Sequence, residues 1–131
     1  MCFARGARGR GVAGESGWAG AALAAGALII GSVAVQGSAG GSYEPGLLAL
    51  RVGPLLEAAV RGLSRMPEVL LVNATGRDHP RRAGLALQLG AVLEVASVGV
   101  AQRPLLAHGK WPADEAGARS PLLIDGEEVG S

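Results

Sequence analysis

The chain has 131 residues, room for one domain at most, and its formal net charge of +1 leaves no global electrostatic footprint for nucleic acid. Cys2 is the only cysteine, which excludes an intrachain disulfide and a thiolate metal cluster and makes a reducing, cytoplasmic compartment the simpler assumption. Residues 1–42 are dominated by Gly and Ala, and no charge occurs from Ser16 to Ser42. Residues 1–20 therefore read as a disordered leader and 21–131 as the folded part. Arg5, Arg8 and Arg10 precede the apolar patch Ala21–Val35, an order that also describes a signal peptide or a membrane anchor over residues 17–41. That patch is rich in glycine and poor in leucine and phenylalanine, whereas a span needs ~20 strongly apolar residues. Alternatively, Ala24–Val35 holds one or two strands, Leu28–Ile30 and Ser32–Val35, with Gly31 as a break or bulge.

From Tyr43 the composition becomes that of an ordinary globular protein. Pro54 can open a helix whose residues Leu55, Leu56, Ala59, Val60, Leu63 and Met66 share one face, and Pro67 ends it. Val69–Val72 is a short apolar run suited to a parallel sheet, and Ser97–Val100 is another. Between them Leu85, Leu87, Leu89, Val92 and Leu93 supply a crossover helix, with Pro80 at or near its first turn. The loop before it gathers Arg77, Arg81 and Arg82. Three arginines at a helix N-terminus suit a phosphate, although a solvated helix start has the same composition. Asp78 reads as the cap of the helix near Pro80 rather than as a metal ligand.

Residues 107–120, with His108 and Lys110, read as exposed loop. Leu122–Ile124 looks like a strand entering an Asp125-Gly126 turn, while Val129-Gly130-Ser131 is too short for a proper return strand. The open edge would invite pairing with another chain. Asp125, Glu127 and Glu128 read as a solvated turn, and Trp18 and Trp111 stand in unrelated contexts that make no base-stacking platform.

Several of these segments carry a family pattern. Asn73-Ala74-Thr75-Gly76, His79-Pro80-Arg81 and Gly99-Val100-Ala101-Gln102, preceded by Tyr43-Glu44-Pro45-Gly46-Leu47-Leu48-Ala49-Leu50-Arg51-Val52-Gly53-Pro54, resemble endonuclease V, which nicks DNA or RNA near deaminated adenine. The ordered matches run from Tyr43 to about Leu105, and Asp125-Gly126-Glu127-Glu128 echoes a later turn of the family. The resemblance implies an α/β fold, a ribonuclease H-like mixed sheet with flanking helices, here expected to be incomplete at both ends and to lack the first strand. It implies hydrolysis beside deoxyinosine or inosine in the repair of deaminated bases, with Mg2+ as cofactor and nucleic acid as partner. It also implies Tyr43 as an aromatic wedge, Gly46 and Gly76 as backbone lining of a pocket for a flipped base, His79 beside that pocket, and Arg81 as a further substrate contact.

The same resemblance locates what is missing. Val52 stands where the family has Glu, Asn73 where it has the Asp that opens its turn, and Gln102 where it has Lys. Asp78 is the first aspartate in the chain, so the Asp of the family's first strand has no counterpart. Magnesium wants hard, preferably anionic oxygen ligands, and these substitutions argue against its being held. The expectation is therefore an endonuclease V-like chain with little or no cleavage at its substituted catalytic positions, Asn73 and Gln102. A non-catalytic nucleic-acid-binding module and a small membrane-anchored protein are the alternatives.

Overall fold

The computed structural model describes the backbone of residues 2–4 and all of residues 12–131. Five strands form one mixed sheet: β1 (Cys2–Ala4), β2 (Ser16–Ala25), β3 (Leu28–Ser38), β4 (Val69–Val72) and β5 (Ala96–Gly99). Their order is β3-β2-β1-β4-β5. β1 lies antiparallel to β2 and parallel to β4, and β4 is parallel to β5, as the strand–helix–strand reading requires. The helices are α1 (Leu48–Arg61) and α2 (Leu85–Leu93), and β6 (Leu122–Ile124) with β7 (Glu127–Gly130) forms a separate hairpin.

The amino-terminal region differs most from expectation. Of the leader read over residues 1–20, residues 1 and 5–11 lie outside the described residues, but Cys2–Ala4 and Ser16 onward are strands. The first strand, expected to be missing, occupies the middle of the sheet. Residues 17–41 hold most of β2 and all of β3, and among the described residues no helix is long and apolar enough to cross a membrane. The glycine content reflects close packing. Gly17 and Gly37 are cross-strand partners, and a Cβ on them would come within 3.3 and 2.7 Å of the two methyls of Leu55. The paired glycines thus leave a notch that Leu55 of α1 fills. The register slips beside Gly31, because Leu23 pairs with Gly31 and Ala24 with Ile29, leaving Ile30 bulged.

Helix α1 begins six residues before Pro54, which sits inside it. A proline there has no N–H for the Leu50 carbonyl. Gly40 approaches that carbonyl so closely that a Cβ would lie 2.5 Å from it. Leu56, Ala59 and Val60 of α1 meet Ala19 and Ala21 of β2, Leu70 and Val72 of β4, and Leu85, Leu89 and Leu93 of α2 in one apolar cluster. Leu56, Leu70, Val60 and Val72 are fully buried, each contributing roughly 1.5–3 kcal/mol over an exposed position. In α2 the buried face is Leu85, Ala86, Leu89, Gly90 and Leu93, so Leu87 and Val92 are not core residues.

The carboxyl-terminal hairpin closes, contrary to the open edge expected. Asp125 (φ 53°) and Gly126 (φ 81°) form a two-residue turn, and Glu127–Gly130 returns as a paired strand.

Candidate nucleic-acid site

Two segments meet above the carboxyl ends of β4 and β5. The first leads into α1. Glu44-Pro45-Gly46-Leu47 is a tight turn in which the Leu47 N–H donates to the Glu44 carbonyl at 3.0 Å. Proline suits its second position, and Gly46 at φ 81° supplies the left-handed residue the third requires. The second segment follows β4, running from Asn73 to Gly84. His79 joins them: its ring is buried, Nε2 donates to the Gly46 carbonyl at 3.0 Å, and Nδ1 accepts the Arg81 backbone N–H at 3.2 Å. With Nδ1 occupied as an acceptor, the proton sits on Nε2. The Arg81 guanidinium reaches the same carbonyl at 3.5 Å.

A cavity of about 460 Å³ opens between the segments. Its walls bring together Tyr43, Gly46, Asn73, His79 and Gln102. Gly76 is not in this wall; it lines an adjoining cavity of about 430 Å³ that shares Thr75 and Ala101. Arg81 also lies outside the lining, at the rim through its contact with Gly46. Glu44, Gln88 and Leu105 are lining residues that sequence reasoning missed. Glu44 was legible as the variable position of the Tyr-x-Pro-Gly stretch; Gln88 and Leu105 reach the wall only through tertiary packing.

Asp78 does not cap a helix near Pro80, because α2 starts at Leu85 and Gly84 is its cap. Its buried carboxylate instead accepts the backbone N–H groups of Leu105, Leu106 and Ala107 at 2.5, 2.8 and 2.8 Å. Burial by itself raises the pKa of such a group, but these three donors, helped by the Arg82 guanidinium, outweigh it and hold Asp78 below the ordinary carboxylate value. Asp78 therefore staples the segment after β5 against the cavity wall, as Leu105 requires.

The three arginines do not form a phosphate loop at a helix N-terminus. Two amide groups at the start of α2 are engaged: Gly84 N–H donates to Gly76 and Ala86 N–H to Thr75. Arg77 pairs with Glu127, and Arg82 approaches Asp125 at 3.4 Å and Glu127 at 3.7 Å. The carboxylates of Asp125 and Glu127 thus occupy two of the three guanidinium groups, with Arg77 also donating to the Glu128 backbone carbonyl, and together they form a latch rather than a bare turn. Arg51 is likewise committed, pairing with Glu15 at 2.6 Å and donating to the Val12 and Gly41 carbonyls.

The endonuclease V family profile matches residues 19–131. The chain belongs to the endonuclease V family. It is 45% identical over 96 residues to endonuclease V of Methanopyrus kandleri, a match covering 73% of this chain and 41% of that protein. Its fold superposes on the crystal structure of endonuclease V from Streptomyces avermitilis with a TM-score of 0.85 at 29% identity, covering 98% of this chain and 56% of the other. Endonuclease V from Ciona intestinalis, solved in complex with a 23-mer DNA containing an inosine, has a TM-score of 0.57 at 24% identity, over 70% of this chain and 41% of that one. The chain thus spans about two fifths of the curated relative and just over half of the Streptomyces structure. The ribonuclease H-like mixed sheet expected from the resemblance is the observed architecture.

A magnesium ion, implied by the family, does not fit the donors of this site. Val52 of α1 is apolar, buried in the core, and does not line the cavity. Asn73 and Gln102 offer neutral amide oxygens, and β1 reads Cys2-Phe3-Ala4, with no carboxylate. Glu44 alone adds an anionic oxygen to the lining. Among the described residues no group of three or more His, Cys, Asp or Glu side chains stands together as a metal-holding set.

Proposed function

We propose that this member of the endonuclease V family binds nucleic acid at a deaminated base and has lost metal-dependent cleavage. The observation that carries the reading is the single cavity gathering Tyr43, Gly46 and His79 with Asn73 and Gln102 in its wall. Its volume lies in the range of small-ligand pockets, enough for one base taken out of the stack. Tyr43, 60% exposed in the cavity lining, is the wedge in this reading. His79 and Gly46 fix the shape of the wall, Arg81 at the rim offers a guanidinium to phosphate, and Gly76 shapes the adjoining cavity. The inosine-containing DNA held by the Ciona relative supports the choice of substrate class. The loss of cleavage rests on the donor set, because Asn73 and Gln102 bring no charge to positions where the family has an acid and a base. We place the protein in the cytoplasm on the ground that its single cysteine leaves no disulfide to protect.

A competition titration tests this reading. The full chain is offered labelled strands that differ only in one deoxyinosine or inosine, with the matched strand as competitor. A preference for the altered strand is expected, with affinity falling as salt rises. Equal affinity for both strands, or none for either, would overturn it.

A further inference from the structure

Trp111 is 90% exposed, the most exposed large apolar side chain among the described residues. Large aromatic surface left in water is uncommon, and tryptophan is favoured where one face is to be covered by a partner. Its base is anchored. Asp78 clamps residues 105–107, and His108 exchanges both backbone hydrogen bonds with Leu123 at 3.0 and 2.8 Å. Gly109 lies so close to Pro121 that a Cβ would come within 2.4 Å of its carbonyl oxygen. Lys110 and Trp111 therefore project from a fixed root.

The charge leading up to Trp111 is one-sided: after Glu94 there is no acidic residue before Trp111, while Arg103 and Lys110 lie there, and Asp114 and Glu115 follow it. Arg103 lines the second cavity and Leu105 the first, so the segment passes both before reaching Trp111. Trp111 lies six positions after Leu105, a reach of at most ~20 Å. A stretch that lines both cavities, carries Arg103 and Lys110 and runs on to an exposed indole fits single-stranded nucleic acid, whose phosphates and unstacked bases call for cations and an aromatic face.

We infer that Trp111 acting alone, not as part of a platform with Trp18, stacks on an unpaired base outside the cavity, with Lys110 and Arg103 holding the adjoining backbone. The inference rests on the nucleic-acid reading above. Stacking accepts any base, so Trp111 sets affinity, whereas the cavity sets preference.

Two measurements test it on the full chain. In a Trp18→Phe variant, leaving Trp111 as the only tryptophan, emission should be quenched on titration with a single-stranded oligonucleotide. Trp111→Ala should weaken binding about 5- to 150-fold, equally for inosine-containing and matched strands, so that their ratio is unchanged. Trp111→Phe should recover most of the loss. The thermal midpoint of Trp111→Ala should match the parent, since the side chain is in solvent. Unquenched emission at saturation, or binding by Trp111→Ala within twofold of the parent, would overturn the inference while leaving the cavity reading intact. No binding of any strand by the parent would overturn both.

Discussion

The Nε2 of His79 donates to the Gly46 carbonyl oxygen at 3.0 Å, and that one bond ties the loop after β4 to the turn before α1. Both residues are 33 positions apart in sequence, yet together they set the width of the cavity that Tyr43 and Gln102 share. Replacing His79 by Ala removes the donor and empties a buried volume. Stability should fall by about 1–3 kcal/mol. Preference for an inosine-containing strand should fall with it, measured as the ratio of affinities for altered and matched strands. An unchanged ratio in a folded variant would separate His79 from recognition.

Asp78 makes the structure sensitive to acid. Its folded-state pKa lies below the ordinary value of 3.8, so the unfolded chain binds the proton more tightly. The contribution is therefore fully present above the unfolded value and is lost as the pH falls through the lowered folded value. Denaturant midpoints measured from neutral pH down to about pH 2 should show this loss. Asp78→Asn should cost about 1–3 kcal/mol at neutral pH, because its amide offers one acceptor where three N–H groups need partners, and should flatten the acid limb.

The hairpin latch predicts a different signature. Arg77, Asp125 and Glu127 are exposed and Arg82 partly so, and such pairs contribute at most about 1 kcal/mol. Neutralising the carboxylates with Asp125→Asn and Glu127→Gln should therefore barely move the thermal midpoint. It should free two guanidinium groups beside the cavities, raising affinity for nucleic acid and steepening its dependence on salt. Weaker binding by the double variant would contradict this.

Packing of α1 on the glycine pair can be tested from the sheet side. Gly37→Val places a branched side chain against the Leu55 methyls, where even a Cβ lies at 2.7 Å. Overpacking of this kind should cost about 1–3 kcal/mol, read as a lower unfolding midpoint. Combining it with Leu55→Ala should recover part of the loss, because the intruding volume then has somewhere to go.

Elements with contiguous signals were legible in the sequence. β4, the parallel β5 and the helix between them follow from two apolar runs and one amphipathic stretch. Tyr43–Gly46 was legible through the family pattern, and the structure shows its Pro45-Gly46 pair at the centre of a tight turn. The misses share a physical cause, since each depends on a partner distant in sequence. Gly17 and Gly37 look like disorder until Leu55 fills the notch above them. Asp78 looks like a cap because the N–H groups that donate to its carboxylate lie 27–29 residues away. Pro80 and Pro54 are helix-start residues by propensity, yet one stands in a loop and the other within α1. The arginine loop suggested phosphate because the carboxylates that engage it arrive about 50 residues later.

The central claim, recognition without metal-dependent cleavage, is met most directly by a single-turnover assay. The full chain, in excess over a labelled strand carrying one deoxyinosine, is incubated with Mg2+ or Mn2+ while complex and product are followed together. A saturable complex with no product above the metal-free control is the predicted result. Metal-dependent product that accumulates with the complex would contradict the account.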